Sequence, residues 1–100
     1  MAGPAPMSPP VSAEFHHDAV DGVRTWVAAT VTQLARGPLA IAGTLGELVE
    51  GIVAGLAGEG GAAPQERGPV KVAVSMSDDL VEVRIQHPDT ERSDLLLIRR

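Results

Sequence analysis

Cysteine is absent from this 100-residue chain, which excludes disulfides, thiolate metal sites and cysteine nucleophiles. Aromatic residues are nearly absent too, because Phe15 and Trp26 are the only two. Aromatic side chains usually supply the largest single burials in a small core, so this core has to be built from aliphatic residues. A domain of this size is marginally stable alone, which favours a partner or self-association as an additional source of burial.

Positive charge is scarce as well. The chain carries a formal net charge of −5, and Lys71 is its only lysine. It therefore lacks the basic stripe with which proteins neutralise phosphate backbones, and we expect no nucleic-acid partner. Residues 1–6 contain neither the basic nor the apolar segment of a secretion signal. On that ground we expect a cytoplasmic location.

Proline and glycine divide the chain into four segments. Residues 1–12 contain four of the eight prolines, a density that prevents helix formation, so they are predicted to be a disordered tail. Residues 58–69 are rich in glycine and proline and are predicted to be a flexible linker. Residues 13–57 are predicted to form a helical hairpin and residues 70–100 a β-meander, and the whole is predicted to be one small domain.

Two stretches of the hairpin segment have the apolar spacing of amphipathic helices. The first helix is predicted over residues 19–35, with Asp18 as its N-cap and its valines on one face. Gly37 and Pro38 then end this helix and begin the second, which is predicted over residues 38–57. The apolar stripe of the second helix consists of Ile41, Leu45, Leu48, Val49, Ile52, Val53 and Leu56.

Neither helix is predicted to span a membrane. Arg36 interrupts the apolar stretch between the helices, and Glu47 and Glu50 follow, whereas a span needs about 20 apolar residues. One alternative function stays open, in which the two helices present their apolar stripes to a lipid surface or enclose an apolar ligand. The polar faces carry acids rather than lysine and arginine, which disfavours contact with anionic lipid.

The last third of the chain has the alternation of half-buried antiparallel strands. Residues 70–76 and 81–86 alternate apolar and polar side chains around a turn at residues 77–79, and residues 95–98 form a third strand. The predicted fold is therefore α+β: two amphipathic helices followed by a three-stranded antiparallel β-meander, in the order ααβββ, with the helices on one face of the sheet. An extended helical arm, covered by neighbouring subunits, is the competing arrangement.

Small residues on the second helix provide the first indication of an interface. Gly51 and Gly55 have the spacing of a close-packing motif but lie on the polar side of the helical wheel. Two interpretations are open. These glycines are either solvent-side residues, or they allow another helix to approach closely. The second interpretation implies an oligomer.

The last strand provides the second indication, because it is apolar on both faces. A strand of this kind is usually buried on both sides, and the chain offers helices for only one of them. We expect Leu95 and Leu97 to face the helices and Leu96 and Ile98 to face outward as an interaction surface. The register across residues 87–94 leaves an exchange of the two pairs open.

The densest group of potential metal ligands precedes the first helix. Glu14, His16, His17 and Asp18 all carry side chains that ligate metals. Adjacent histidines on a regular backbone point in different directions, so these residues are interpreted as polar residues at the helix entry. A small metal-binding protein or enzyme is kept as a further alternative, but no catalytic, metal or cofactor site is predicted.

The predicted function follows from the absence of catalytic motifs and from the surplus of apolar surface. We expect a non-catalytic interaction module that serves as an accessory or scaffold subunit of a bacterial oligomeric assembly. Its partner is either another copy of the same chain or a larger protein complex. The bacterial origin is inferred from the bias towards Ala, Gly, Val and Arg, which is typical of a GC-rich genome.

Overall fold

The chain folds into an antiparallel sheet and a helical hairpin. The structure is a computed structural model that describes residues 7–16, 20–58, 69–86 and 93–100. In chain order its elements are strand β1 (Val11–Phe15), helix α1 (Val20–Ala35), helix α2 (Ile41–Gly58) and strands β2 (Val70–Met76), β3 (Leu80–Gln86) and β4 (Ser93–Arg99). The sheet has the order β1-β2-β3-β4, and every neighbouring pair is antiparallel.

The predicted order ααβββ is wrong, because a fourth strand precedes the helices. In β1, Val11, Ala13 and Phe15 alternate with Ser12 and Glu14, which is the period of a strand with two different faces. β1 pairs with β2 and forms one edge of the sheet. The strand is short, and its side chains are half-buried or exposed, so its alternation is a much weaker signal than that of β2 or β3.

The first two residues of β1, Val11 and Ser12, belong to the segment 1–12 that was predicted to be a disordered tail. The backbone N–H of Ser8 donates to the carbonyl oxygen of Met76 at 2.8 Å, and Ser8 Oγ accepts from the N–H of Met76 at 2.9 Å. These bonds attach the chain to β2 before β1 begins. Residues 1–6 of the predicted tail and residues 59–68 of the predicted linker lie outside the described residues.

Both helices pack on the same face of the sheet. The predicted apolar face of α1 is confirmed, because Val23, Val27 and Val31 are fully buried. α1 contacts β1, β2 and α2, so α2 lies on the β3 side of α1. The core between the two layers is aliphatic and includes Leu45, Val49, Val53, Val72, Val74, Val81, Val83 and Ile85.

α1 ends in a left-handed residue that is not glycine. Arg36 has φ = 59°, and the N–H of Gly37 donates to the carbonyl of Thr32 while that of Arg36 donates to Gln33, both at 3.1 Å. This is the Schellman arrangement, in which the left-handed position is usually taken by glycine. Gly37 was predicted to end the helix, but Arg36 takes that position.

The two helices approach most closely at Gly46. A Cβ atom built on Gly46 would lie 2.7 Å from the carbonyl oxygen of Arg24. Beside this contact, Arg24 Nη2 and Glu47 Oε1 form an exposed ion pair at 3.2 Å. The side of α2 that contains Gly46 therefore faces α1, and this orientation determines which residues of α2 stay uncovered.

Candidate interaction surface

The residues with metal-ligating side chains do not form a site in the described part of the chain. His16 is exposed just after β1, and Glu14 is exposed on the sheet face away from the helices. His17 and Asp18 lie outside the described residues. Within the described ranges no three potential metal ligands come together.

β4 is the second edge of the sheet, and the hydrogen-bond register shows which of its backbone groups are not paired by any strand of the described residues. The N–H of Arg100 donates to the carbonyl of Asp79 at 3.0 Å, which continues the β3–β4 register. Bonding direction alternates along an antiparallel strand, so the backbone groups of residues 94, 96 and 98 point to β3. Those of Ser93, Leu95, Leu97 and Arg99 consequently point away from the sheet.

The side chains of β4 are oriented opposite to the prediction. Leu96 and Ile98 pair with the buried Val83 and Val81, and both are half-buried against the core. They were expected to face outward, and that orientation is wrong. Because β4 is apolar on both faces, the alternation of its side chains cannot show which face is turned to the helices. The register with β3 shows it. The prediction that they belong to an interface stays a prediction.

The other two leucines of β4 lie on the outer face of the sheet. Leu95 is 49% exposed and Leu97 is 59% exposed, although both are large aliphatic residues. Their partners on β3 are Arg84 and Glu82, so a charged rim borders the two leucines on the side of β3. β4 thus shows free backbone groups, exposed leucines on one face and incompletely covered apolar residues on the other.

The outer face near β2 is already covered in part by the N-terminal segment. Met7, Ser8 and Pro10 line a shallow hollow of about 310 Å³ with residues of β2 and β3, and Ser75 is buried there. The hollow reaches Glu82 and Arg84, the β3 partners of Leu97 and Leu95, but neither leucine lines it. The exposed leucines of β4 are therefore left without cover from the described residues.

α2 has a lateral face, on the side away from α1, that is uncharged and mostly apolar, with the exposed Thr44 between Gly51 and Gly55 on the helical wheel. On the helical wheel, Leu48, Gly51 and Gly55 lie opposite Gly46, which touches α1, and Ile41 and Ile52 lie between this side and the sheet. Leu48 is 49% exposed, while Ile41 and Ile52 are half-buried. We call these five residues the lateral face of α2. No charged residue interrupts it.

The predicted close-packing glycines belong to this lateral face. Gly51 and Gly55 are exposed, and a Cβ built on either would meet nothing within 4 Å. The close helix contact within the chain is made by Gly46, which the sequence pattern did not identify. The prediction that Gly51 and Gly55 contribute to an interface is not tested by contacts within one chain.

α2 and β4 lie on the same side of the module. Since α1 covers β1 and β2, the fully buried residues of β3 require α2 above them. The lateral face of α2 therefore borders the inner side of β4, where Leu96 and Ile98 are only half-buried. We refer to β4 together with the lateral face of α2 as the β4 side of the module.

Comparison with known proteins finds no matching family model, no matching curated protein and no matching solved structure. Among the described residues, neither helix combines the length and the apolar character that crossing a lipid bilayer requires. What can be inferred about function therefore comes from the geometry of the β4 side.

Proposed function

We propose that this chain is a non-catalytic interaction module that assembles with copies of itself through the β4 side, as an accessory or scaffold subunit. One observation carries the proposal: among the described residues β4 is an edge strand, with exposed leucines on its outer face and only half-buried apolar residues on its inner face. Open apolar edges pair readily with other strands, and stable proteins normally shorten them, charge them or cover them. We place this subunit in the cytoplasm.

The exposed apolar surface on β4 is large enough for its burial to contribute measurably to the free energy of association. Burying a whole leucine side chain contributes about 1.5–3 kcal/mol, so covering the exposed half of Leu95 or Leu97 contributes about 1 kcal/mol each. The exposed fractions are 49% for Leu95 and 59% for Leu97. An added strand also pairs the free backbone groups of β4, so its association does not leave buried polar groups unsatisfied.

The opposite edge of the sheet is less suited to strand addition. β1 has five residues, and it follows Pro9 and Pro10, which have no N–H to donate. Ser12 and Glu14, the residues of β1 on the outer face, are exposed and polar. Short strands, prolines and charges are the features by which native proteins protect an edge. Assembly is therefore assigned to β4.

The test compares proline substitutions on the two edges. The N–H of Leu97 points away from β3, so Leu97→Pro removes no hydrogen bond of the sheet but prevents an added strand from pairing there. By the same alternation the N–H of Ser12 points away from β2, which makes Ser12→Pro the matched control on β1. Sedimentation velocity measures the mass of each variant, and thermal unfolding confirms that each one is folded.

We expect the unmodified chain and Ser12→Pro to sediment as the same oligomer, and folded Leu97→Pro to sediment as a monomer. A folded monomer for the unmodified chain at about 100 μM would refute self-association, since a weaker dissociation constant leaves less than about 5.5 kcal/mol of binding free energy. An oligomer that persists in folded Leu97→Pro would refute the assignment to β4.

A further inference from the structure

We infer that two copies join about a two-fold axis at Leu96, with the β4 strands antiparallel to each other, so that the two sheets become one and the α2 helices meet across the axis. This inference rests on the proposed function and names its partner and geometry. In this register Leu96 faces Leu96 of the partner subunit, Leu95 faces Leu97 of the partner subunit, and Ser93 faces Arg99 of the partner subunit.

The backbone of β4 permits this register. Ser93, Leu95, Leu97 and Arg99 carry the outward N–H and carbonyl groups, as the bond between Arg100 and Asp79 requires. The register pairs these residues only with one another across the axis, so their free groups meet. It also pairs the strand Ser93–Arg99 over its full length. A shift by one residue would place outward groups against inward ones.

The charges of β4 favour the antiparallel orientation over the parallel one. Asp94 lies near the beginning of the strand, and Arg99 and Arg100 lie at its end. Two antiparallel copies bring the acidic end of one strand to the basic end of the other, whereas parallel copies would place like charges side by side, which is destabilising. Between these ends the strand is uncharged from Leu95 to Ile98, so leucines meet at the axis.

The spacing of the helices fits the same arrangement. Two strand spacings amount to about 9.6 Å, and packed helices lie about 8–10 Å apart, so each helix of such a layer covers two strands. α1 covers β1 and β2, and α2 lies above the β3 side. Continuing the sheet through β4 therefore brings the α2 of the partner subunit next to α2 at an ordinary packing distance.

The lateral face of α2 suits a second copy of itself. Although the chain has a net charge of −5, this face carries no charge, so two copies meet there without repulsion. Leu48 and Ile52 supply apolar contact, and the exposed Gly51 and Gly55 have free space above them. The contact also covers Leu96 and Ile98, which are the half-buried residues of the inner face.

Single cysteines test the register, because the chain has no cysteine of its own. In the inferred register Leu96 and its counterpart form a pair without mutual backbone hydrogen bonds, whose Cα atoms are about 4.5 Å apart, within the range that a disulfide spans. Leu95 is about 8 Å from Leu95 of the partner subunit, beyond the limit of about 7 Å. The same holds for Leu97.

The experiment oxidises dilute Leu96→Cys, Leu95→Cys and Leu97→Cys proteins and measures the disulfide-linked dimer by non-reducing electrophoresis. We expect at least tenfold more dimer for Leu96→Cys than for either of the others alone. An equimolar mixture of Leu95→Cys and Leu97→Cys should form the mixed dimer. That mixture examines the same register without altering Leu96, in case Leu96→Cys weakens the assembly.

Two results would overturn the inference. Efficient linkage of Leu97→Cys or Leu95→Cys alone would place the axis at another residue. Failure of both Leu96→Cys and the mixture, in a chain that still sediments as an oligomer sensitive to Leu97→Pro, would show that β4 binds something other than a second β4. The proposed function would then stand without this geometry, whereas a monomeric unmodified chain would refute both.

Discussion

Replacing Gly46 by alanine tests the packing of the two helices most directly. The added Cβ would lie 2.7 Å from the carbonyl oxygen of Arg24 and 3.5 Å from its carbonyl carbon. These are backbone atoms inside α1, which do not rotate aside, so α2 has to move outward and loosen its contacts with the core. Overpacking of this kind costs about 1–3 kcal/mol of stability. Because the contact is with backbone atoms, we expect a cost near the upper end of that range.

Alanine is also the better helix former, by about 1 kcal/mol relative to glycine, so the net loss expected for Gly46→Ala is about 2 kcal/mol. Gly43 supplies the control, because it lies on the same helix, is exposed and has nothing within 4 Å of its Cβ position. Gly43→Ala should gain up to about 1 kcal/mol from the same change in propensity.

Thermal unfolding by circular dichroism, at one protein concentration, measures the difference between the two variants. About 3 kcal/mol corresponds to melting temperatures that differ by roughly 12–24 °C in a domain of this size. Both variants replace a glycine of α2 by alanine, so the gain in helix propensity largely cancels when their melting temperatures are compared. If Gly46→Ala is stabilised as much as Gly43→Ala, the helices do not meet at Arg24 and Gly46.

Two further predictions concern α1. Arg36→Gly should raise the melting temperature by about 4–8 °C, because a residue with a side chain costs about 1 kcal/mol or more in the left-handed conformation of Arg36. Arg36→Val should lower it. An unchanged or lower melting temperature for Arg36→Gly would show that residue 36 is not the left-handed end of α1. Val31→Asp places a charge at a fully buried position and should abolish cooperative unfolding. Ile52→Asp lies on the half-buried lateral face of α2 and should leave the monomer folded. A cooperative, native-like unfolding transition for Val31→Asp would show that the buried face of α1 is assigned wrongly.

Strong periodicity made the helices and the central strands predictable. α1 was predicted over residues 19–35 and is found at Val20–Ala35, and its valine stripe is the face that packs on the sheet. Large apolar residues recur at every second position in both strands, at 70, 72, 74 and 76 in β2 and at 81, 83 and 85 in β3. The turn between them uses Ser77, whose Oγ accepts from the N–H of Leu80 at 3.1 Å. In such segments local pattern and tertiary burial agree.

β1 was missed because its local signals conflict. Val11, Ala13 and Phe15 alternate correctly, but prolines precede them and two histidines follow, which favours a tail and a helix entry. What makes the segment a strand is tertiary: it pairs with β2, and Phe15 contacts Trp26 of α1 edge-to-face, with ring centroids 5.6 Å apart. A five-residue edge strand carries too little pattern to reveal this.

The surface residues were harder to predict, for a different reason. A glycine pattern indicates that a helix permits close approach, but not from which side the neighbour comes. On α2 the neighbour comes to Gly46, whereas the pattern had drawn attention to Gly51 and Gly55. In β4 both faces are apolar, so only the register with β3 distinguishes Leu95 and Leu97 from Leu96 and Ile98.

The topology explains why the three most exposed large apolar residues, Leu48, Leu95 and Leu97, lie on one side, whereas the less exposed Val11 and Met7 lie in or beside β1. β1 pairs with β2 at the start of the sheet, α1 covers that half, and residues before β1 reach Met76, so the N-terminal elements occupy the side of the module opposite β4. α2 and β4 are each the last element of their layer, and nothing in the described chain follows either of them laterally. A second copy adds a helix and a strand at once, and so completes both layers with a single contact. A partner that contributed only a strand would cover Leu95 and Leu97 but leave Leu48 exposed. The exposure of Leu48 is therefore the feature that favours a second copy over a lone strand.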